Sequence, residues 1–277
     1  MNHLEVCTKE SAPVDWASAQ NNLAIAYCKA PQGDHNVHLL KAIKHYQSAL
    51  EVYTEAYFPE SWAMTLNNLA NAYNELSVDD RATNLQYAIQ YCEAALRVYT
   101  EEHFPLRWAT TQSNLAAAYS SLPSEDHVTN VRHAIRCYEA TLRVHTEESF
   151  PRDWAMTQNN LGNAYYSLSI EDPINLQRAI GFYEAALRVL DEEHFPVNWA
   201  MIYHNLGNIY RKLPTGDRQT NLERTIECYR MALQVYTEER LPQQWASTLN
   251  DLAIVFDELG RDKEAQDCRQ DAVRGYR

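Results

Sequence analysis

Glycine is scarce in this chain, at 7 of 277 residues, and proline stops at 10. Nothing in it reads as a linker or a low-complexity segment. No apolar run approaches the roughly 20 residues needed to span a bilayer. The N-terminal stretch Met1 to Glu5 has no basic region followed by an apolar core, so no signal peptide is expected there. Positive charge is also short, and the net charge is −13. A basic stripe, the footprint of nucleic-acid binding, is missing. The expected partner is therefore a protein or peptide, neutral or basic, rather than nucleic acid or membrane. Six cysteines occur, at 7, 28, 92, 137, 228 and 268, and none forms a C-x-x-C pair. They read as small core fillers in a reducing, cytoplasmic compartment. There is no H-E-x-x-H, no glycine-rich phosphate loop and no EF-hand pattern. No cofactor, metal site or catalytic activity is expected.

What the chain has in quantity is repetition. Its six tryptophans, Trp16, Trp62, Trp108, Trp154, Trp199 and Trp245, stand 46, 46, 46, 45 and 46 residues apart. A fixed period of this size is the signature of a stack of similar units, each packing only on its neighbours. The boundaries read as 13–58, 59–104, 105–150, 151–195, 196–241 and a capping unit 242–277, in one continuous array. Residues 1–12 look like the tail of a preceding helix, because Leu4 to Glu10 matches Leu96 to Glu102.

Each unit holds two helical patterns. Trp62, Leu66, Leu69, Tyr73 and Leu76 recur at spacings of three and four, one apolar stripe of a first helix entered at Pro59. Leu85, Ala88, Ile89, Cys92, Ala95, Leu96 and Tyr99 make the stripe of a second, with Thr83 and Asn84 as expected caps. Glu93 and Arg97, Glu139 and Arg143, and Glu184 and Arg188 stand four apart and are expected to pair on the solvated side. Asp34, Asp80, Asp126, Asp172 and Asp217 recur once per loop, as turn or cap residues. His103 and His194 recur in the turn between units, where a structural role is expected. In the last unit Arg269, Gln270, Asp271 and Arg274 supply the polar outer face that an array needs at its end.

The run Asn160 to Tyr165, followed by Ala179 and Tyr183, resembles the tetratricopeptide repeat, with its L-G-x-x-Y in one helix and A-x-x-x-F in the next. That family repeats every 34 residues, whereas the period here is 46. The longer form is similar to the repeats of kinesin light chains and to bacterial arrays that precede CHAT proteases. The resemblance implies an all-α, right-handed superhelical solenoid of about six helix-turn-helix units. It also implies that the first helices line a concave groove for peptides or proteins.

One polar row stands out as a candidate site. Asn22, Asn68, Asn114, Asn160 and Asn205 precede the repeat leucine, and Asp251 takes that place in the last unit. With Asn71, Asn163, Asn208 and Lys212 they form a stripe beside the core stripe. Amides carry donors and acceptors together, which suits gripping an extended peptide backbone. Equally, they can bond to the next repeat and fix its stacking. The expected function is a non-catalytic scaffold. The alternatives are the sensor part of a larger protease or signalling protein, and a receptor for a short signalling peptide.

Overall fold

Every first helix begins on a proline. At that position the missing N–H is one the helix leaves unbonded anyway, and the fixed φ suits entry. A computed structural model describes residues 8–78, 80–124 and 126–275. The prolines open α1 (Pro13–Cys28), α3 (Pro59–Glu75), α5 (Pro105–Ser121), α7 (Pro151–Ser167), α9 (Pro196–Lys212) and α11 (Pro242–Glu258). The second helices are α2 (His35–Leu50), α4 (Arg81–Ala95), α6 (His127–Thr141), α8 (Ile174–Leu187), α10 (Arg218–Val235) and α12 (Asp262–Gly275). A short 3-10 turn, Leu168–Ile170, occupies the loop of the unit that is one residue short.

The helices fall into two compact units, Met1–His145 and Thr146–Arg277. In the first, α1 packs on α2, α3 on α4 and α5 on α6, and α2 and α4 each pack on the first helix that follows. In the second, α7 packs on α8, α9 on α10 and α11 on α12, and α8 and α10 again pack on the next first helix. This alternation of pairs is that of an α-solenoid. The described part of 1–12 is a turn from Thr8 ending at Pro13; Met1 to Cys7, on which the half-unit reading chiefly rests, lie outside the described residues.

The two apolar stripes meet as the periodicity requires. Leu69 and Ala72 of α3, and Leu76 at its C-cap, pack with Leu39, Ala42, Ile43 and Tyr46 of α2. Leu252, Ala253 and Phe256 of α11 pack with Leu222, Ile226 and Tyr229 of α10. Trp108, Trp154 and Trp199 are buried, while Trp16, Trp62 and Trp245 are half-buried. The tryptophan row is thus part of the packing. Gly162 and Gly207 are required by close approach. A Cβ on them would lie 2.7 Å from the Tyr183 ring and 2.5 Å from the Tyr229 ring.

The charged pairs differ from the sequence expectation. Arg97 forms a two-pronged bond with Glu55, at 2.8 and 3.0 Å, rather than with Glu93. Arg143 does the same with Glu101, and Arg188 with Glu147. Each guanidinium also lies 5.0–5.2 Å from the centre of a tryptophan ring of its own unit, Trp62, Trp108 or Trp154. The reason is geometric. The second helix runs back beside the first, so its last turn reaches the turn that precedes the first helix and passes over the tryptophan. In the first unit of the array the polarity is reversed: Lys9, in the turn, pairs with Glu51 at the helix end.

The caps are also corrected. Asp80, not Thr83 or Asn84, caps α4 by accepting from the Ala82 N–H. Thr83 donates to Asp80, and Asn84 donates to the Val78 carbonyl. Asp34 and Asp217 cap α2 and α10, and Asp172 accepts from the Ile174 N–H. Asp126 makes no cap bond. In the turns, His103 and His194 each contact the residue three before them, Thr100 and Asp191. Arg269 is exposed and pairs with Asp257, in keeping with a polar terminal face.

Candidate partner-binding face

The amide row divides by what each side chain touches. Asn22 is exposed, and Asn68, Asn114, Asn160 and Asn205 are half-buried. Asn114 of α5 donates to Asn67 Oδ1 of α3 at 3.1 Å. Asn205 of α9 donates to Asn163 Oδ1 of α7 at 3.1 Å. Asn160 Oδ1 accepts from Asn159 at 3.4 Å. Asn71 is exposed and donates to Glu75 within α3. Asn114 and Asn205 therefore tie one first helix to the next, which is the stacking role that the sequence left open.

Asn163 and Asn208 have a further task. The Tyr183 hydroxyl donates to Asn163 Oδ1 at 2.6 Å, and the Tyr229 hydroxyl donates to Asn208 Oδ1 at 2.8 Å. Burial pushes both phenol pKa values up, so both remain donors. The glycine before each asparagine lets the tyrosine ring lie against the first helix, and the asparagine then meets its hydroxyl. Glycine, asparagine and tyrosine occur together in these two units, a signal that the sequence carried and that the periodic reading passed over.

In Asn160, Asn163 and Asn208 the fold uses the amide oxygen. Among the described residues the Nδ2 groups of these three have no partner within the chain, and all three side chains are half-buried. Lys212 is exposed at the end of α9. Its Nζ donates to the Tyr166 hydroxyl at 2.6 Å and lies 4.8 Å from the centre of that ring. The lysine is thereby held in place, with two of its three N–H donors still open. Asn160, Asn163, Asn205, Asn208 and Lys212 all belong to α7 and α9. Asn22, Asn68, Asn71 and Asn114 belong to the other unit.

These features define an α-solenoid of packed helix pairs, consistent with a tetratricopeptide-type repeat. Among solved structures the chain is similar to BtubC (BKLC) from P. vanneervenii, with a TM-score of 0.51 and 16% identity over 95% of this chain and 90% of that one. It is also similar to the human IFIT1 dimer with PPP-AAAA, with a TM-score of 0.49 and 15% identity, over 96% of this chain and 65% of that one. The first likeness bears on the fold alone. No protein-family model matches the chain, and no curated protein matches its sequence. No described helix is long and apolar enough to cross a membrane.

Proposed function

We propose that the chain is a non-catalytic scaffold that binds an extended peptide segment of a protein partner along the first-helix face of α7 and α9. The observation that carries this reading is the row of open amide donors. Asn160, Asn163 and Asn208 have their oxygens engaged and their Nδ2 groups free, so the face offers N–H donors to a peptide's carbonyls. Such donors grip the main chain without demanding a side-chain sequence, and Lys212 adds a positioned cation for a carboxylate. The net charge of −13 favours a neutral or basic partner and disfavours nucleic acid.

The test is a peptide library presented to the purified chain, with Asn160→Ala and Lys212→Ala as variants. Asn160→Ala removes no bond between first helices, and Lys212→Ala removes only the exposed bond from α9 to Tyr166 of α7, so both variants should fold. Each lost hydrogen bond should cost about 0.5–1.5 kcal/mol of binding, and more at the lysine. The reading fails if bound peptides are indifferent to both changes, or if no peptide binds.

A further inference from the structure

The first helices on either side of a junction meet in a common register. Asn67 of α3 accepts from Asn114 of α5 at 3.1 Å, and the matching residues His204 of α9 and Asp251 of α11 approach to 3.6 Å. A cavity lies at each of these junctions. The one between α3 and α5, about 170 Å³, is lined by Met64, Asn67, Tyr99, Leu106, Arg107 and Thr110. The one between α9 and α11, about 280 Å³, is lined by His204, Tyr236, Gln243, Gln244, Ser247 and Thr248.

The tyrosines of the two cavities hold the same position in their units and differ in what they bond. The Tyr99 hydroxyl donates to the Glu60 carbonyl at 3.2 Å, and Arg107 donates to it at 3.4 Å from a guanidinium 5.4 Å from the ring centre. The chain thus satisfies Tyr99 and fills much of the space above it. Tyr236, at the C-cap of α10, is only 5% exposed, and its hydroxyl has no hydrogen-bond partner within the chain among the described residues. Burial pushes its pKa up to about 12, so it stays a donor. Gln244 stands where Arg107 stands in α5. The side chains of Gln243, Gln244 and Ser247 are exposed and make no hydrogen bond within the chain among the described residues. Gln243 and Gln244 also belong to the first turn of α11, which no side chain caps.

We infer that the cavity between α9 and α11 takes a side-chain amide of the partner, a glutamine or an asparagine, with its carbonyl on the Tyr236 hydroxyl. The inference rests on the peptide-binding reading and adds one side chain to it. The alternatives fail on cost. No carboxylate and no lysine or arginine is among the lining residues, so a charged side chain would lose water and gain no counter-charge. The positive end of α11 draws a partial negative charge, but it does not offset a full one in a chain of net charge −13. An apolar side chain would strip water from Tyr236 and leave a buried donor unmade, which is the expensive case. An amide brings an acceptor for Tyr236 and donors for the side-chain oxygens of Gln243, Gln244 and Ser247.

The probe is Nα-acetyl-glutamine methylamide, followed by NMR on the full chain at neutral pH. The glutamate, lysine and norleucine compounds serve as controls that share its main-chain amides. Saturable shifts should appear at His204, Ser247 and Thr248 with the glutamine compound alone. Tyr236→Phe removes a hydroxyl that bonds nothing within the chain, so it should melt as the parent does and weaken binding roughly three- to tenfold. Gln244→Arg, which installs the residue of the α5 position, should fill the cavity and abolish the shifts. Equal shifts from any of the three controls, or indifference to Tyr236→Phe, would overturn the proposal. A glutamine compound that binds while no peptide does would retain this site and sink the peptide reading. Peptides that bind through Asn160 and Lys212 with no preference for glutamine or asparagine would do the reverse.

Discussion

The junction between α3 and α5 and the junction between α9 and α11 use the same positions for different chemistry. In the first, an amide meets an amide, and a guanidinium of the chain fills the space above the tyrosine. In the second, an imidazole meets a carboxylate beside a cavity with no cation. The backbone register is common to both, so it does not fix what a junction does. A cavity opens at each junction, about 170 Å³ at the first and about 280 Å³ at the second. The amide pair of the first carries no group that titrates near neutrality, whereas the second holds an imidazole. A repeat can therefore keep its packing positions and give one junction a separate role.

The largest effects should come from what both junctions share. Trp108→Ala and Trp199→Ala each remove a buried indole, and each should cost about 3–5 kcal/mol of stability. Calorimetry of both variants tests this; a parent-like melt for either would show that its tryptophan is not a packing residue. Next comes Gly207→Ala, whose Cβ would meet the Tyr229 ring at 2.5 Å. Displacing the ring should cost about 1–3 kcal/mol and disturb the bond to Asn208. The reverse change at the matching position of α5, Ala116→Gly, adds no atoms and should cost only about 1 kcal/mol for glycine in a helix.

A smaller effect separates the junctions. The folded-state pKa of His204 is held below its ordinary value of 6.5, first by burial, with Asp251 opposing. The unfolded chain therefore binds the proton more readily. The stability is fully present above about pH 6.5 and is lost as pH falls towards the folded pKa. Denaturation of the parent and of His204→Asn at several pH values should show this slope in the parent alone. The smallest effect is expected from Arg97→Gln. Arg97 and Glu55 are both exposed, and such pairs are screened by salt. A melting point that drops as far as for Gly207→Ala would show that the layer over the tryptophans is a main support.

Much of this was legible in the sequence. The tryptophan period gave the helix pairs, the prolines gave the first-helix starts, and the spacing of Leu69, Tyr73 and Leu76 gave the buried face. The recurring loop aspartates, read as turn or cap residues, are caps at Asp34, Asp80 and Asp217 and a turn residue at Asp172, because these are local events. Arg97 was misread for the converse reason. Spacing within a helix favours Glu93, whereas the observed partner, Glu55, is 42 residues away and is reached only once the helix pair has formed. The asparagine row lay on the border between core and solvent, where a helical wheel cannot choose between stacking and binding. The fold divides it instead by atom, with oxygens used internally and several Nδ2 groups left open. The pairing of His204 with Asp251 crosses two repeats at unequal positions. It would have been visible only by aligning it with Asn67 and Asn114.

The central claim is that one junction is titratable and its counterpart is not. Hydrogen exchange, corrected for intrinsic rates and measured at about pH 7.5 and about pH 5.5, tests it most directly. Protection in α11 and α12 should fall on acidification, protection in α3 and α5 should hold, and His204→Asn should remove the difference. An equal loss in both regions, or none in either, would contradict the account.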